Sequence, residues 1–238
     1  MNDIAKHIEY ENSLDQVLSI LRHELGNPIN SLKITLDVFK ENYDLFDDNK
    51  KKEYLRRGST LLARLERLVE AMRSYSRFDV RDREEIAFPH FWEHLISLIA
   101  KKAKDRDIKL SHNHDVGDRR ILGDTSAIDK VIINIIDNAI EATEEVKNPE
   151  IEIKASATDD FIIISVKDNG TGISEQDLSK ALLPLFSTKS GKQGMGLPIA
   201  KRLLFKMDGQ IKMESLLGEG TEVTVCLRTA SGQESPYS

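Results

Sequence analysis

Two asparagines and a glutamate recur at helical spacing in the middle of the chain. Asn134, Asn138 and Glu141 fall on one strip of an amphipathic helix predicted over 128–143, beside an apolar stripe that marks a core face. Asparagine is a poor helix former because its side chain competes for backbone hydrogen bonds. A solvated polar face would explain the strip if this helix stood alone, so its meaning depends on the motifs around it.

A second candidate site follows a β-like run that ends at Asp168. A carboxylate at the end of a buried strand is costly unless it meets donors, and the exocyclic amine of adenine is a suitable donor. Gly170 and Gly172 then allow the backbone to turn tightly and to approach a flat base. An ordinary Asp-Asn-Gly turn is the alternative interpretation.

The segment 183–193 has mixed polarity and is a candidate for a mobile lid over a nucleotide. Lys189 can meet phosphate charge there. Gly194 and Gly196 expose backbone N–H groups at the start of a helix predicted over 197–207, where the helix dipole favours an anion. No G-x-x-x-x-G-K-[ST] motif occurs, so a P-loop fold is excluded.

His23 is predicted to point to solvent, because it lies two residues from both Leu21 and Leu25 on a helix. A lone helical histidine is usually a surface residue without a role. Here Glu24 is adjacent and can accept a proton from the imidazole, which leaves the other ring nitrogen free to attack. Asn27 lies one turn further on, with its amide on the same face.

Taken in chain order, these motifs resemble those of bacterial two-component sensor histidine kinases. The chain has an H box at 23–28, an N box from Asn134 to Asn138 and an Asp-x-Gly-x-Gly box at 168–172. A phenylalanine box at Phe186 and a second glycine box complete the order. Each motif alone is weak, but all of them in this order over about residues 13–228 are specific.

The resemblance implies a role for each of these residues. His23 would be the phosphoacceptor, Glu24 its base, and Asn27 the polar residue that orients a water for dephosphorylating the partner. Asn138 would bind Mg²⁺ through its carbonyl oxygen, which offsets charge on the leaving phosphates. The implied nucleotide-binding positions are Asn134, Asn138, Asp168, Gly170, Gly172, Phe186, Lys189, Gly194, Gly196 and Leu197.

The implied activity is ATP-dependent phosphorylation of His23 and transfer of the phosphoryl group to an aspartate of a response regulator. Asn27 also permits a regulator phosphatase. A related ATPase is one alternative, although such enzymes carry a water-activating glutamate where this chain has Asn134. The other alternative is a non-catalytic dimeric phosphotransfer scaffold, against which the intact motifs argue. One departure from the family is Lys192, which stands where the second glycine box usually begins.

Heptad spacing predicts the elements that position His23. A capping box at Ser13 opens a helix whose apolar positions continue to Phe39, and a second apolar seam runs over 54–75. Two such helices cannot cover their apolar stripes with each other alone. We therefore expect an αα-hairpin that forms a four-helix bundle in a symmetric homodimer.

The pattern after the hairpin is mixed, so the fold class is predicted to be α+β. Strands are expected at 85–88, 108–112, 119–122, 151–155, 161–166, 209–213 and 221–228, with helices at 89–104, 128–143, 174–182 and 197–207. The resemblance implies that they form a Bergerat-type α/β sandwich that binds ATP. The predicted divisions are a hairpin over 1–80, a catalytic domain over 81–230 and a disordered tail over 231–238.

Composition limits the classes of partner. The 238 residues carry a formal charge of −6 and a pI near 5.6, which argues against a nucleic-acid surface. A single cysteine, Cys226, excludes an intramolecular disulfide and fits a reducing cytoplasm. No apolar run approaches the roughly 18 residues of a membrane helix. Only about twenty residues precede the H box, so we expect a separate sensor protein or a sensor domain missing from this chain.

Overall fold

The computed structural model describes residues 2–189 and 192–230, with side chains described from Ser19 onward. The chain divides into two compact units. One contains Met1–Arg77 and Leu183–Met195, and the other contains Phe78–Leu182 and Gly196–Ser238. The boundary predicted between 80 and 81 stays a prediction, and the tail predicted over 231–238 lies outside the described residues.

The first unit contains the predicted pair of long helices. Helix α1 spans Asn2–Glu41 and helix α2 spans Asp48–Arg77. The predicted start at Ser13 is wrong, because α1 already begins at Asn2. No glycine or proline lies between those two residues, so nothing in the sequence interrupts the helix before the capping box.

From Ser19 onward, where side chains are described, the apolar seam of the hairpin differs from the predicted one at Leu36. Leu36 was expected in the seam, yet it is 52% exposed, while its neighbour Thr35 is 3% exposed. The Thr35 hydroxyl donates to the Ser31 carbonyl oxygen at 2.7 Å, so the buried polar atom keeps a partner. Near the turn, Phe46 stacks on Tyr54 with ring centroids 5.0 Å apart.

The second unit is built on a five-stranded sheet with the order β2-β4-β5-β7-β6, and a two-stranded sheet pairs β1 with β3. Strand β2 is parallel to β4, and the other neighbouring strands are antiparallel. The strands are β1 Glu84–Ala87, β2 Lys109–Asp115, β3 Arg120–Gly123, β4 Glu150–Ala157, β5 Phe161–Asp168, β6 Gln210–Leu216 and β7 Gly220–Arg228.

Helices cover the buried side of this sheet. Helix α4 packs against α6 and against β5. Buried and partly exposed residues alternate along β5, as expected for a strand with one core face. The helices of this unit are α3 Phe88–Lys104, α4 Thr125–Ala142, α5 Glu175–Leu178 and α6 Gly196–Lys206. A helical N-terminal region followed by a mixed α/β domain confirms the predicted α+β class.

The strands predicted at 108–112 and 119–122 are present as β2 and β3, which belong to different sheets. The predicted end of one helix is wrong. Helix α5 ends at Leu178, whereas the prediction extended it to Leu182. After Leu178 the backbone N–H groups of Lys180 and Ala181 bond three residues back, to Asp177 at 3.0 Å and to Leu178 at 3.2 Å, so the chain continues as tighter turns and not as an α-helix.

Residues 78–83 connect α2 to β1 without regular secondary structure and are bound to α4 and α6. The Asp79 carboxylate accepts from Lys206 Nζ at 2.5 Å. The Arg81 backbone N–H donates to Asp124, whose other oxygen caps α4 at Ala127. These two contacts attach the segment to the C-terminal end of α6 and to the N-terminal cap of α4.

Candidate functional site

His23 lies on α1 with its side chain 73% exposed, as the spacing from its apolar neighbours predicts. Its Nδ1 is 3.5 Å from Oε1 of Glu24. Asn27, one turn further on, is also exposed. The three residues therefore present an imidazole, a carboxylate and an amide on an accessible part of the helix, while their individual roles stay predictions.

Arg64 of α2 is a neighbour that the sequence analysis missed. Its guanidinium Nη2 is 3.2 Å from the second carboxylate oxygen of Glu24. Glu24 thus lies between a cation on α2 and the His23 ring, which holds its carboxylate oriented. The residue is 40 positions from Glu24, so only the hairpin pairing, and no local motif, could have indicated this contact.

The predicted strip of asparagines divides in the structure. Asn134 is 9% exposed, and its Nδ2 donates to the carbonyl oxygen of Gly196 at 2.9 Å. It is therefore a buried side chain and not part of a solvated polar face. Asn138 is partly exposed, and its Nδ2 lies 3.9 Å from the position that a Cβ on Gly196 would occupy. The fold brings the asparagine helix against the first residue of α6, which Leu197 follows.

The segment Asp168–Ile173, called here the glycine loop, lies at the end of β5. Asp168 is 5% exposed, and its Oδ1 accepts the Gly170 backbone N–H at 2.8 Å. A Cβ on Gly170 would lie 2.6 Å from the Ala142 carbonyl oxygen at the end of α4. Gly172 has a φ of +65° and directly faces the Leu216 backbone. Both glycines are thus required by close backbone approach.

Asn169, inside the glycine loop, holds it to the neighbouring strand. Its Oδ1 accepts the Glu150 backbone N–H at 2.8 Å, and its Nδ2 donates to the Asn148 carbonyl oxygen at 2.8 Å. No motif in the sequence assigns a role to this residue. An asparagine after a strand is a common turn residue, and that signal could have indicated an anchoring side chain.

The predicted lid belongs to the unit that contains the hairpin. The Leu185 backbone N–H donates to the Gly194 carbonyl oxygen at 3.1 Å. Gly194 has a φ of +63° and packs on the Phe186 backbone so closely that no Cβ fits. Lys189 is exposed, and its backbone N–H donates to the Ser187 hydroxyl oxygen at 3.1 Å. Gly191, adjacent to Lys192 in the displaced glycine box, lies outside the described residues.

The donor set for a metal ion is small. Among residues 2–189 and 192–230, no group of three or more His, Cys, Asp or Glu side chains could hold a metal. Mg²⁺ is commonly held by one or two protein groups together with phosphates and waters. The partly exposed amide of Asn138 beside Gly196 fits that arrangement.

Two protein families match segments of the chain. Residues 13–81 match the His Kinase A (phospho-acceptor) domain. Residues 123–231 match the histidine kinase-, DNA gyrase B- and HSP90-like ATPase domain. This chain belongs to the sensor histidine kinases. The prediction made from its motifs is confirmed.

Curated relatives that match nearly all of this chain are also histidine kinases or sporulation kinases. This histidine kinase is 26% identical to the sensor histidine kinase ZraS of Salmonella typhimurium, over 98% of this chain and 49% of ZraS. It is 30% identical to sporulation kinase C of Bacillus subtilis, over 95% of this chain and 56% of that protein. The chain thus spans about half the length of these relatives.

Solved structures agree with this fold. The catalytic domain of histidine kinase ThkA covers 62% of this kinase at a TM-score of 0.56 and 27% identity, and 96% of that domain is matched. ThkA in complex with the response regulator protein TrrA covers 98% at a TM-score of 0.61 and 25% identity, with 66% of that chain matched. Among the described residues, no helix is both long and apolar enough to cross a membrane.

Proposed function

We propose that this histidine kinase phosphorylates His23 from ATP and then transfers the phosphoryl group to an aspartate of a response regulator. The observation that carries the proposal is the exposed imidazole of His23 in a phospho-acceptor domain that shares its chain with an ATPase domain. Support for the partner class comes from ThkA, which has been crystallised with a response regulator.

The arrangement around His23 suits nucleophilic attack on the γ-phosphorus of ATP. A proton on Nδ1 would be shared with the Glu24 carboxylate 3.5 Å away, so Nε2 carries the free electron pair. The new bond joins Nε2 to the γ-phosphorus, and the bond to the β–γ bridging oxygen breaks, so ADP leaves. Glu24 stabilises the positive charge that develops on the ring.

We assign nucleotide binding to the second unit. Asp168 would accept a hydrogen bond from the exocyclic amine of adenine, because its carboxylate is buried at a strand end, in a loop that Gly170 and Gly172 hold tightly against neighbouring backbone. The start of α6 at Gly196 would face phosphate oxygens with the backbone N–H groups of its first turn. Bound Mg²⁺, held by Asn138 and the phosphates, would neutralise charge on the leaving group.

We further propose a homodimer. Leu55, Leu62 and Val69 of α2 lie seven residues apart and are 56%, 51% and 42% exposed in the single hairpin. Ile29 and Leu36 of α1 repeat the same spacing and are 50% and 52% exposed. Apolar side chains at heptad spacing indicate a surface that a second hairpin covers, which completes the predicted four-helix bundle.

The residue at position 134 argues against the ATPase alternative. Position 134 carries an amide that donates to the Gly196 carbonyl oxygen, and an amide does not act as a general base for water. The phosphatase activity predicted from Asn27 and the cytoplasmic location stay predictions. The same holds for a sensor on a separate protein or a further domain.

Labelling with γ-³²P-ATP and Mg²⁺ tests the proposal. The parent is expected to take up acid-labile, base-stable label, and His23→Ala is expected to take up none. His90→Ala is the matched control, because His90 is an exposed histidine at the start of α3. ATP turnover without protein labelling would favour the ATPase, and neither labelling nor turnover would favour the scaffold.

A further inference from the structure

Ser215, near the end of β6, makes three hydrogen bonds through one hydroxyl group. Its Oγ accepts the Ile173 backbone N–H at 2.8 Å. The same oxygen lies 2.9 Å from the Gly220 carbonyl oxygen and 2.9 Å from the Thr221 hydroxyl. No motif in the sequence singles this residue out.

The chemistry of the three partners fixes the direction of each bond. A carbonyl oxygen only accepts, so Ser215 uses its single proton on Gly220. The oxygen then accepts from Ile173 and from the Thr221 hydroxyl. One donor and two acceptor positions are the full capacity of a serine hydroxyl. Ser215 therefore joins β6, the start of β7 and the end of the glycine loop with no bonding capacity left over.

These bonds lead directly to Asp168. Thr221 lies opposite Asp168 in the β5–β7 register. Gly220, with a φ of +113°, packs so closely on the Asp168 carbonyl oxygen that a Cβ would not fit. A further bond, from the Gly218 N–H to the Thr171 carbonyl oxygen at 2.8 Å, holds the middle of the glycine loop to the β6–β7 turn. The turn therefore acts as a support behind the buried carboxylate.

We infer that Ser215 is a positioning residue that fixes the glycine loop for recognition of the adenine base. The inference rests on the proposed function, in which Asp168 accepts the exocyclic amine of adenine. Without the hydroxyl, the Ile173 N–H and the Gly220 carbonyl oxygen lose their partner, so the loop samples other conformations. Ligand affinity falls with the fraction of molecules whose loop is in the binding-competent conformation.

The inference also concerns base specificity. Guanine carries a carbonyl oxygen where adenine carries the amine, so a correctly placed carboxylate accepts from adenine and repels guanine. A loosened loop weakens both effects. Loss of the Ser215 hydroxyl should therefore lower the preference for ATP over GTP, whereas general destabilisation of the domain would reduce binding of both nucleotides by the same factor.

The test uses the full chain and compares Ser215→Ala with Ser215→Thr, which keeps the hydroxyl. Ser165→Ala on β5 is the matched control, because it removes the same atom from a strand position between the buried Ile164 and Val166. Calorimetric titration with ATP and GTP gives the dissociation constants. Ser215→Ala should raise the dissociation constant for ATP roughly 5–30-fold, which is the factor expected when partly buried hydrogen-bonding groups lose their partner. Ser215→Thr and Ser165→Ala should bind like the parent.

Amide hydrogen exchange provides the second measurement. The Ile173 amide should exchange faster in Ser215→Ala, while amides in the centre of β5 stay protected. Three results would overturn the inference. Ser215→Ala binds ATP as tightly as the parent, the ratio of its dissociation constants for ATP and GTP equals that of the parent, or Ser215→Ala and Ser215→Thr lose the same ATP affinity. If the parent itself does not bind ATP, the proposed function fails and this inference fails with it. If the parent and Ser215→Ala bind ATP equally well, the role of Ser215 is wrong and the proposed function still stands.

Discussion

The hairpin and the ATPase domain present their chemistry in different ways. In the hairpin, the proposed functional groups are side chains on an exposed helix surface, with His23 73% exposed. In the ATPase domain, the glycine loop and the start of α6 are shaped by backbone groups and by the glycines that permit their close approach. We therefore expect substitutions in the hairpin to change one function at a time. Substitutions in the glycine loop should change the stability of the domain and its binding of ATP together.

The largest expected effect comes from adding a single carbon to the glycine loop. Gly172→Ala would place a Cβ against the Leu216 carbonyl oxygen, and Gly117→Ala, at nearly the same φ of +66°, would meet no atom within 4 Å. Each variant accepts a left-handed backbone at a cost of roughly 1–2 kcal/mol. Gly172→Ala should lose about 1–3 kcal/mol more from the collision.

Urea unfolding measures this difference, and calorimetric titration shows whether ATP binding is lost with it. Gly117→Ala should be destabilised but bind ATP normally. Equal free energies of unfolding for the two variants would contradict the view that close backbone approach shapes the loop.

The hairpin should show the opposite behaviour, in which function changes without loss of the fold. Leu62→Ala removes one side chain from the exposed heptad stripe of α2. Full burial of a leucine contributes roughly 1.5–3 kcal/mol. Leu62 is 51% exposed in the single hairpin, so the interface can bury about half of each side chain. The variant dimer loses two such side chains, so its dissociation constant should rise about ten- to a hundredfold. Leu45→Ala is the control, since Leu45 lies in the turn and is 82% exposed. Sedimentation equilibrium measures both, and equal dimer affinity for the two variants would exclude the stripe from the interface.

The same contrast explains how far the sequence analysis reached. Repeating patterns predicted the two long helices, the helix that carries the asparagines and most of the strands, because each element shows its own periodicity. The asparagines were found by their helical spacing, whereas the H box and the glycine boxes were identified by their resemblance to motifs of sensor histidine kinases. These features depend on neighbours within a few positions, which a single sequence contains.

The features that were missed depend on pairing between distant segments. Arg64 meets Glu24 only because α1 and α2 are antiparallel neighbours. Ser215 meets Ile173 only because the β6–β7 turn folds back onto the glycine loop. The burial of Asn134 was also missed, since its partner is the Gly196 carbonyl oxygen on a separate helix. A backbone acceptor leaves no trace in the residue pattern.

The two asparagines of α4 offer a smaller test within the ATPase domain. Asn134→Ala removes the partly buried hydrogen bond to the Gly196 carbonyl oxygen, so it should lower the free energy of unfolding by about 0.5–1.5 kcal/mol. Asn138→Ala should leave stability nearly unchanged and raise the Mg²⁺ concentration needed for half-maximal labelling of His23. Each variant serves as the control for the other. A changed Mg²⁺ requirement in Asn134→Ala alone would reverse the two assignments.

The smallest effect is expected where 78–83 attaches to α6. The hydrogen bond from Lys206 lowers the pKa of Asp79 below its ordinary value of 3.8. A lowered pKa in the folded state means that the pair stabilises the fold above pH 3.8 and that this contribution disappears as the pH falls through the folded-state pKa. Both side chains are substantially exposed, so the contribution is roughly 0.2–1 kcal/mol at neutral pH and smaller in high salt.

Asp79→Asn tests this ion pair against Asp118→Asn, which changes an exposed aspartate in the turn after β2. At pH 7 the first variant should be slightly less stable than the second, and 1 M NaCl should reduce the difference because it screens exposed charges. An NMR titration of the Asp79 side-chain carboxyl should give a pKa below 3.8 in the parent and a higher value in Lys206→Ala. An Asp79 pKa that does not respond to Lys206→Ala would show that the ion pair does not hold the segment. The ion pair of Arg83 with Asp208 at 2.6 Å and the bond from the Arg81 N–H to Asp124 would then be the attachments to test next.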